Sequence, residues 1–139
     1  MRILIVDDDY VTRAKLKAIL AERGDCDAAP NGEVALSMVD EALNDSVPYD
    51  LITMDVDMPG MTGEEVVREI RDREWNWAKR MSRPAQEAKI LMVTVRNDSR
   101  TVIASFRQGC EGYLAKPITP EKLNHALAKL GFEPKRCEV

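Results

Sequence analysis

The chain has 139 residues, 45% of them hydrophobic, with 20 basic against 24 acidic side chains and a net charge of −4. That length suggests one domain able to bury a core without covalent staples, and the acidic balance argues against a general nucleic-acid binder. Three widely spaced cysteines (Cys26, Cys110 and Cys137) make neither a disulfide framework nor a paired metal site, nothing approaches the about 20 apolar residues of a membrane span, and the expected setting is the reducing cytoplasm.

Residues 3–6 are a short, nearly continuous apolar run, the pattern of a strand buried on both faces. It is too short for the apolar core of a signal peptide. It runs straight into Asp7-Asp8-Asp9. A helix is predicted over 10–22, with Val11, Ala14 and Ala18 beside Leu16, Ile19 and Leu20 on one apolar face, and Gly24 as its stop. A weak strand covers 26–29. Asn31 then caps a helix over 32–43, with Val34, Ala35, Met38, Val39 and Ala42 inward. The third strand, Leu51–Met54, ends abruptly in Asp55, and the sequence Val56-Asp57-Met58-Pro59-Gly60 follows at once.

Thr62-x-x-Glu65 is a capping box that opens a third helix, whose stripe continues through Val66, Val67 and Ile70. From 71 to 89 the pattern blurs. Ile90 to Val93 make a strand that runs into Thr94. Ser99 is the expected cap of a helix over 100–108, closed by Gly109. The strand 113–115 runs into Lys116-Pro117. Thr119-Pro120-Glu121 starts the last helix, with Leu123, Ala126, Leu127 and Leu130 inward and His125 on the surface. A frayed tail is expected at 132–139.

Five strands alternating with five helices predict an α/β fold with a parallel sheet. Such a sheet gathers its C-terminal strand ends along one edge, where ligands bind. Asp7, Asp8, Asp55, Thr94 and Lys116 would then converge from distant stretches of chain. Two unit charges about 4 Å apart repel by about 4 kcal/mol at an effective dielectric near 20. Three carboxylates therefore call for a cation, and Mg²⁺ fits a site of few carboxylates and several waters. Asp8 and Asp55 are the candidate direct ligands, Asp7 acts through water, and the Asp57 backbone carbonyl adds an oxygen. A metal, a lysine and a hydroxyl around one carboxylate suit phosphoryl transfer, with Asp55 as nucleophile.

Ile3-Leu4-Ile5-Val6-Asp7-Asp8, then Asp55 ahead of Met58-Pro59-Gly60-Met61-Thr62-Gly63, then Thr94, then Tyr113-Leu114-Ala115-Lys116-Pro117, together resemble the receiver domain of bacterial two-component response regulators, the CheY-like family. The resemblance covers residues 1–131. It implies a flavodoxin-like sheet of order 2-1-3-4-5, Mg²⁺-dependent phosphorylation of Asp55 by a histidine kinase or phosphotransfer protein, and a cis Lys116-Pro117 bond. It implies Thr94 and Tyr113 as switch residues, and a signalling face on helix four, strand five and helix five that meets a downstream protein target. The implied activity is self-catalysed phosphotransfer and autodephosphorylation, not turnover of a substrate. The chain would act as a monomer or a phosphorylation-dependent dimer, with no nucleic-acid or membrane partner.

Two other readings remain. Asp55-Val56-Asp57, Thr94 and Lys116 superficially fit a haloacid-dehalogenase-like phosphatase, although there the Asp-x-Asp belongs on the first strand. A degenerate module that binds partners constitutively is the third. Against the family pattern, Val95 replaces a smaller residue and is expected to narrow the path to Asp55, while Asp57 and Arg96 carry opposite charges that could pair. The segment 71–89 is enlarged and holds both tryptophans, Trp75 and Trp77, and residues 68–89 contain seven basic and four acidic side chains. It reads as a longer third helix and loop with the tryptophans on its own body, or as a docking patch.

Overall fold

In the computed structural model, which describes residues 1–132, strands β1 (Arg2–Val6), β2 (Asp25–Ala29), β3 (Leu51–Met54), β4 (Lys89–Thr94) and β5 (Gly112–Ala115) alternate with helices α1 (Tyr10–Leu20), α2 (Gly32–Asn44), α3 (Gly63–Met81), α4 (Ser99–Gln108) and α5 (Pro120–Lys129). All strand pairs are parallel, in the order β2-β1-β3-β4-β5. This is the expected flavodoxin-like order. The chain leaves β1 in one direction to form β2, then returns across β1 to form β3. The order reverses there, and a crevice opens beyond the carboxyl ends of β1 and β3.

The strands alternate between two cores, since successive side chains point to opposite faces. Leu4, Val6, Ile52, Met54, Ile90 and Met92 pack with α2 and α3 residues such as Val39, Val66, Ile70 and Trp77. Ile3, Ile5, Leu51, Leu91 and Val93 pack with Leu16 and Leu20 of α1 and Leu123 and Leu127 of α5. Both faces are covered, which is why the strands read as unbroken apolar runs.

Three local expectations are corrected. On α1, Leu16 and Leu20 are buried, but Val11 is 68% exposed and Ala14 and Ala18 face solvent. The helix carries two apolar rows, and the larger side chains, which gain more from burial, take the core. Val34 of α2 is likewise exposed, while Leu36 and Leu43 are buried. Asp98, not Ser99, caps α4: its carboxylate accepts from the Thr101 N–H at 3.0 Å and the Thr101 hydroxyl at 2.8 Å. Both are capping types, and a charged acceptor makes the stronger bond. The blurred segment is the expected longer third helix and loop: α3 continues as far as Met81, where Ser82 closes it with φ 52°.

The blur has a physical cause. Glu74 occupies a core-facing position of α3 and is 2% exposed. One carboxylate oxygen accepts from Arg71 at 2.7 Å, and the other accepts the Ala88 N–H at 2.7 Å. Arg71 also donates to the Gly109 carbonyl at 2.9 and 3.1 Å and to Glu111 at 2.7 Å. Lys89 meets the other Glu111 oxygen at 2.9 Å. This network joins α3 to the end of α4 and the start of β5. Trp77 is buried at 3% exposure and Trp75 is 61% exposed, so only one tryptophan lies in the body. The N–H of Phe132 bonds the Leu127 carbonyl at 3.0 Å and its ring packs on the α1–α5 core; the remaining tail, 133–139 with Cys137, lies outside the described residues.

Candidate functional site

The strand register sets the site. Val6 pairs with Met54, Met54 with Met92, and Thr94 with Ala115. The residues just past these ends continue the ladder. The Asp55 N–H donates to the Val6 carbonyl at 3.0 Å, the Asp7 N–H to Ala29 at 3.2 Å, and the Lys116 N–H to Thr94 at 2.9 Å. Asp7, Asp55 and Lys116 thus have sheet-like backbone anchoring while their side chains reach the crevice. The first turn of α3 closes the floor. A Cβ on Gly63 would lie 2.0 Å from the Asp55 carbonyl oxygen, so only glycine fits there. The Gly63 N–H bonds the Val56 carbonyl at 2.8 Å.

Carboxylate oxygens of Asp7, Asp8 and Asp55 all lie within 4.8 Å of one another. Asp7 is 1% exposed and Asp55 6%, whereas Asp8 is exposed. The Lys116 ammonium is 2.9 Å from Asp7 Oδ2 and 3.5 Å from Asp55 Oδ2. The Asp9 N–H donates to the other Asp7 oxygen at 2.9 Å. Arg13 holds the Asp7 backbone carbonyl at 2.7 Å. Thr94 is fully buried, and its hydroxyl accepts the Arg96 N–H at 3.2 Å.

The electrostatics show a site short of positive charge. Burial raises the Asp55 proton affinity above the usual carboxylate range. A hydrogen bond from Thr94 opposes this, the Asp7 charge adds to it, and Lys116 and the Asp57 N–H work against it. The upward direction wins despite a lysine at 3.5 Å. For Lys116 burial acts to lower the proton affinity, but the Asp7 hydrogen bond and the Asp55 and Asp7 charges outweigh it, and the net shift is upward. Lys116 therefore stays an ammonium, and one ammonium does not balance three carboxylates. A hard divalent cation with oxygen ligands fits that donor set. Asp8 and Asp55 have the freer oxygens, while both Asp7 oxygens already accept a hydrogen bond.

The remaining predicted residues form a shell. Arg96 lies 3.9 Å from Asp57 and 3.6 Å from Asp98, all about half exposed. Tyr113 donates its hydroxyl to the Arg96 carbonyl. Burial pushes the Tyr113 hydroxyl up to about 12, so it stays protonated and a donor. The loop after β4 thus links the Asp57 side of the crevice to the N-terminus of α4 and to β5. Val95 is 67% exposed. The Lys116-Pro117 bond is cis. Sequence reasoning missed Asp9 as the α1 cap: its carboxylate accepts from the Thr12 hydroxyl at 2.7 Å. Its place between the acidic pair and the helix was the available signal.

Residues 3–128 match the family described as response regulator receiver domain. The two-component response regulator ORR41 of Oryza sativa subsp. japonica is 34% identical over 132 residues, covering 93% of this chain and 93% of that protein. The transcriptional regulatory protein AruR of Pseudomonas aeruginosa is 34% identical over 123 residues, covering 88% of this chain but 46% of that protein. The chain spans about half the length of several other curated relatives it matches. Among solved structures, the receiver domain of the histidine kinase CKI1 from Arabidopsis thaliana, complexed with Mg²⁺ and BeF₃⁻, is 25% identical with a TM-score of 0.75, covering 91% of this chain and 89% of that one.

Proposed function

The chain belongs to the response regulator receiver family, and on that premise we propose that it is a phosphorylation switch in which Asp55 accepts a phosphoryl group from a histidine kinase or a phosphotransfer protein. The observation that carries this reading is the convergence of Asp7, Asp8 and Asp55 within 4.8 Å, with Lys116 against two of them. Asp8 and Asp55 would hold Mg²⁺ directly, Asp7 would do so through water, and the Asp57 carbonyl would complete the protein's share. Bound there, the ion would neutralise charge on the transferring oxygens. The CKI1 receiver complex holds the same metal.

An Asp55 carboxylate oxygen attacks the donor phosphorus. A P–O bond forms, and the P–N bond of a phosphohistidine breaks; the leaving imidazole keeps the electron pair and takes a proton from solvent. Lys116 stabilises the anionic acceptor and product, and its ammonium form persists throughout. The Thr94 hydroxyl, which accepts the Arg96 N–H in the free protein, turns to the new phosphoryl oxygens. That movement disturbs the Arg96 loop, to which Thr94 and Tyr113 both bond. The change is read on α4, β5 and α5, where Ile103 (51% exposed) and Phe106 (46%) offer apolar contact to a downstream protein target. The reading places the chain in the cytoplasm, as a monomer or a phosphorylation-dependent dimer, without turnover of its own.

Incubation with Mg²⁺ and acetyl phosphate is expected to add one phosphoryl group by mass to the wild type and none to Asp55→Asn. Continuous release of phosphate from small esters would instead support the phosphatase reading.

Arg96 and Asp57 tune the lifetime of that state. A half-exposed pair at 3.9 Å contributes at most about 1 kcal/mol, so its loss alters rates by up to about fivefold. The phosphoryl half-life of an Arg96→Ala, Asp57→Asn variant should be shorter than that of the wild type. Identical decay would remove the pair from any role in the lifetime.

A further inference from the structure

The far end of α3 presents a surface that the phosphorylation site does not use. Trp75 is 61% exposed and Met81 47%. Lys79 lies one turn after Trp75 and Arg68 two turns before it on the same side, with exposed Asp72 between Arg68 and Trp75; exposed Arg80 and Met81 point to other sides of the last turn, and exposed Arg83 follows the helix end. These four cations form no ion pair or hydrogen bond among the described residues. Elsewhere on the same helix, Arg71 and Arg73 are both bound to carboxylates. The unpaired cations belong to a chain of net charge −4. The surface is also rigid. Trp77 and Ala78 are buried in the same turn, and Glu74 is tied to Arg71 and Ala88. Trp75 is therefore held out by an anchored helix.

We propose that this end of α3 is a docking surface for an acidic segment of a protein partner, with Trp75 as the apolar anchor and Arg68, Lys79 and Arg83 as the charged surround. Exposed tryptophan and arginine are the side chains that most often dominate binding energy at protein interfaces. These unpaired cations select a carboxylate-rich occupant. A nucleic acid is disfavoured by the acidic balance of the whole chain and by the single exposed aromatic in the patch.

Position adds a second consequence. A helix of 19 residues is about 28 Å long. It starts against Asp55 and crosses back to the opposite edge of the sheet, where β4 begins. A partner held at the far end leaves the crevice and the α4–β5–α5 face open. Docking there is independent of the state of Asp55.

The test uses a short fluorescein-labelled peptide of glutamates around a Leu-Phe core, read by fluorescence anisotropy against the full chain. Expected is saturable, salt-sensitive binding that Trp75→Ala weakens by about tenfold or more. An Arg68→Glu, Lys79→Glu, Arg83→Glu variant abolishes it, and Mg²⁺ with beryllofluoride leaves it unchanged. All four side chains are exposed, so these variants keep the fold. Equal affinity for wild type and both variants, no binding to wild type, or an oligothymidylate of the same charge binding as tightly as the peptide would overturn the proposal. Affinity that changes with beryllofluoride would overturn its independence from Asp55.

Discussion

Asp55→Asn is expected to make the ion-free protein more stable than the wild type while removing its response to Mg²⁺. The Asp55 carboxylate is 6% exposed, and burial and the Asp7 charge hold its proton affinity above the ordinary value of 3.8. A carboxyl group whose folded-state proton affinity is raised favours the folded state at low pH. As pH rises above 3.8 the unfolded chain ionises first, and folding then carries the cost of the charged form. That cost is complete once pH exceeds the folded-state value. An uncharged amide of similar shape avoids it. Coulomb repulsion at this spacing, less the Lys116 attraction, makes the gain about 1–3 kcal/mol near neutral pH. The difference between variant and wild type should shrink as pH falls toward 3.8. With Mg²⁺ at a hundred times its dissociation constant, the wild type should gain about 2.7 kcal/mol and the variant far less. Urea melts at several pH values, with and without Mg²⁺, give both readings. A variant less stable than the wild type at neutral pH, or equally responsive to the ion, would contradict the account of the pocket.

The second large effect is expected at Arg71, far from the pocket. Arg71→Ala would leave Glu74, 2% exposed, without its counter-charge. Breaking a buried pair from one side costs about 3–5 kcal/mol. The same change frees the Gly109 carbonyl and Glu111, which Arg71 now bridges. Burial already raises the Glu74 proton affinity above its ordinary value, and Arg71 and the Ala88 N–H oppose that rise. Without Arg71 it rises further. The destabilisation should be largest at neutral pH and shrink as pH falls through the folded-state value of Glu74, because a neutral carboxylic acid does not need the guanidinium. A second change, Glu74→Leu, should recover much of the loss. Denaturant melts of the single and double variants form the cycle that measures the pair. An Arg71→Ala protein within about 1 kcal/mol of the wild type would show that the network contributes little.

Much of this arrangement was legible in the sequence, and the reason is specific. A parallel sheet covered on both faces writes its strands as apolar runs, and a polar residue at the end of such a run marks the crevice. Asp7, Asp55, Thr94 and Lys116 each stand at that position. β2 was faint because it is an edge strand carrying Asp25 and Asp27. The true inner row of α1 could not be separated from Val11, Ala14 and Ala18 by spacing alone, since both rows have helical period. The last three turns or so of α3 read only as a blurred stretch because Glu74 interrupts the apolar stripe, and its partners are another turn of helix and a loop N–H. Nothing local announces a buried carboxylate satisfied by Ala88. The contrast between Trp75 and Trp77 has the same origin: two positions apart on a helix they point in nearly opposite directions, and only packing decides which is inside.

The contact of Gly63 with the Asp55 carbonyl limits how the chain can vary. With no room for even a methyl group at its root, α3 cannot slide along its axis or begin a residue earlier without displacing the nucleophile's own peptide unit. Length can be gained only at the outer tip. Insertions there lengthen the rod away from a fixed origin, so the tip is free to diversify in sequence while the reactive end stays constant.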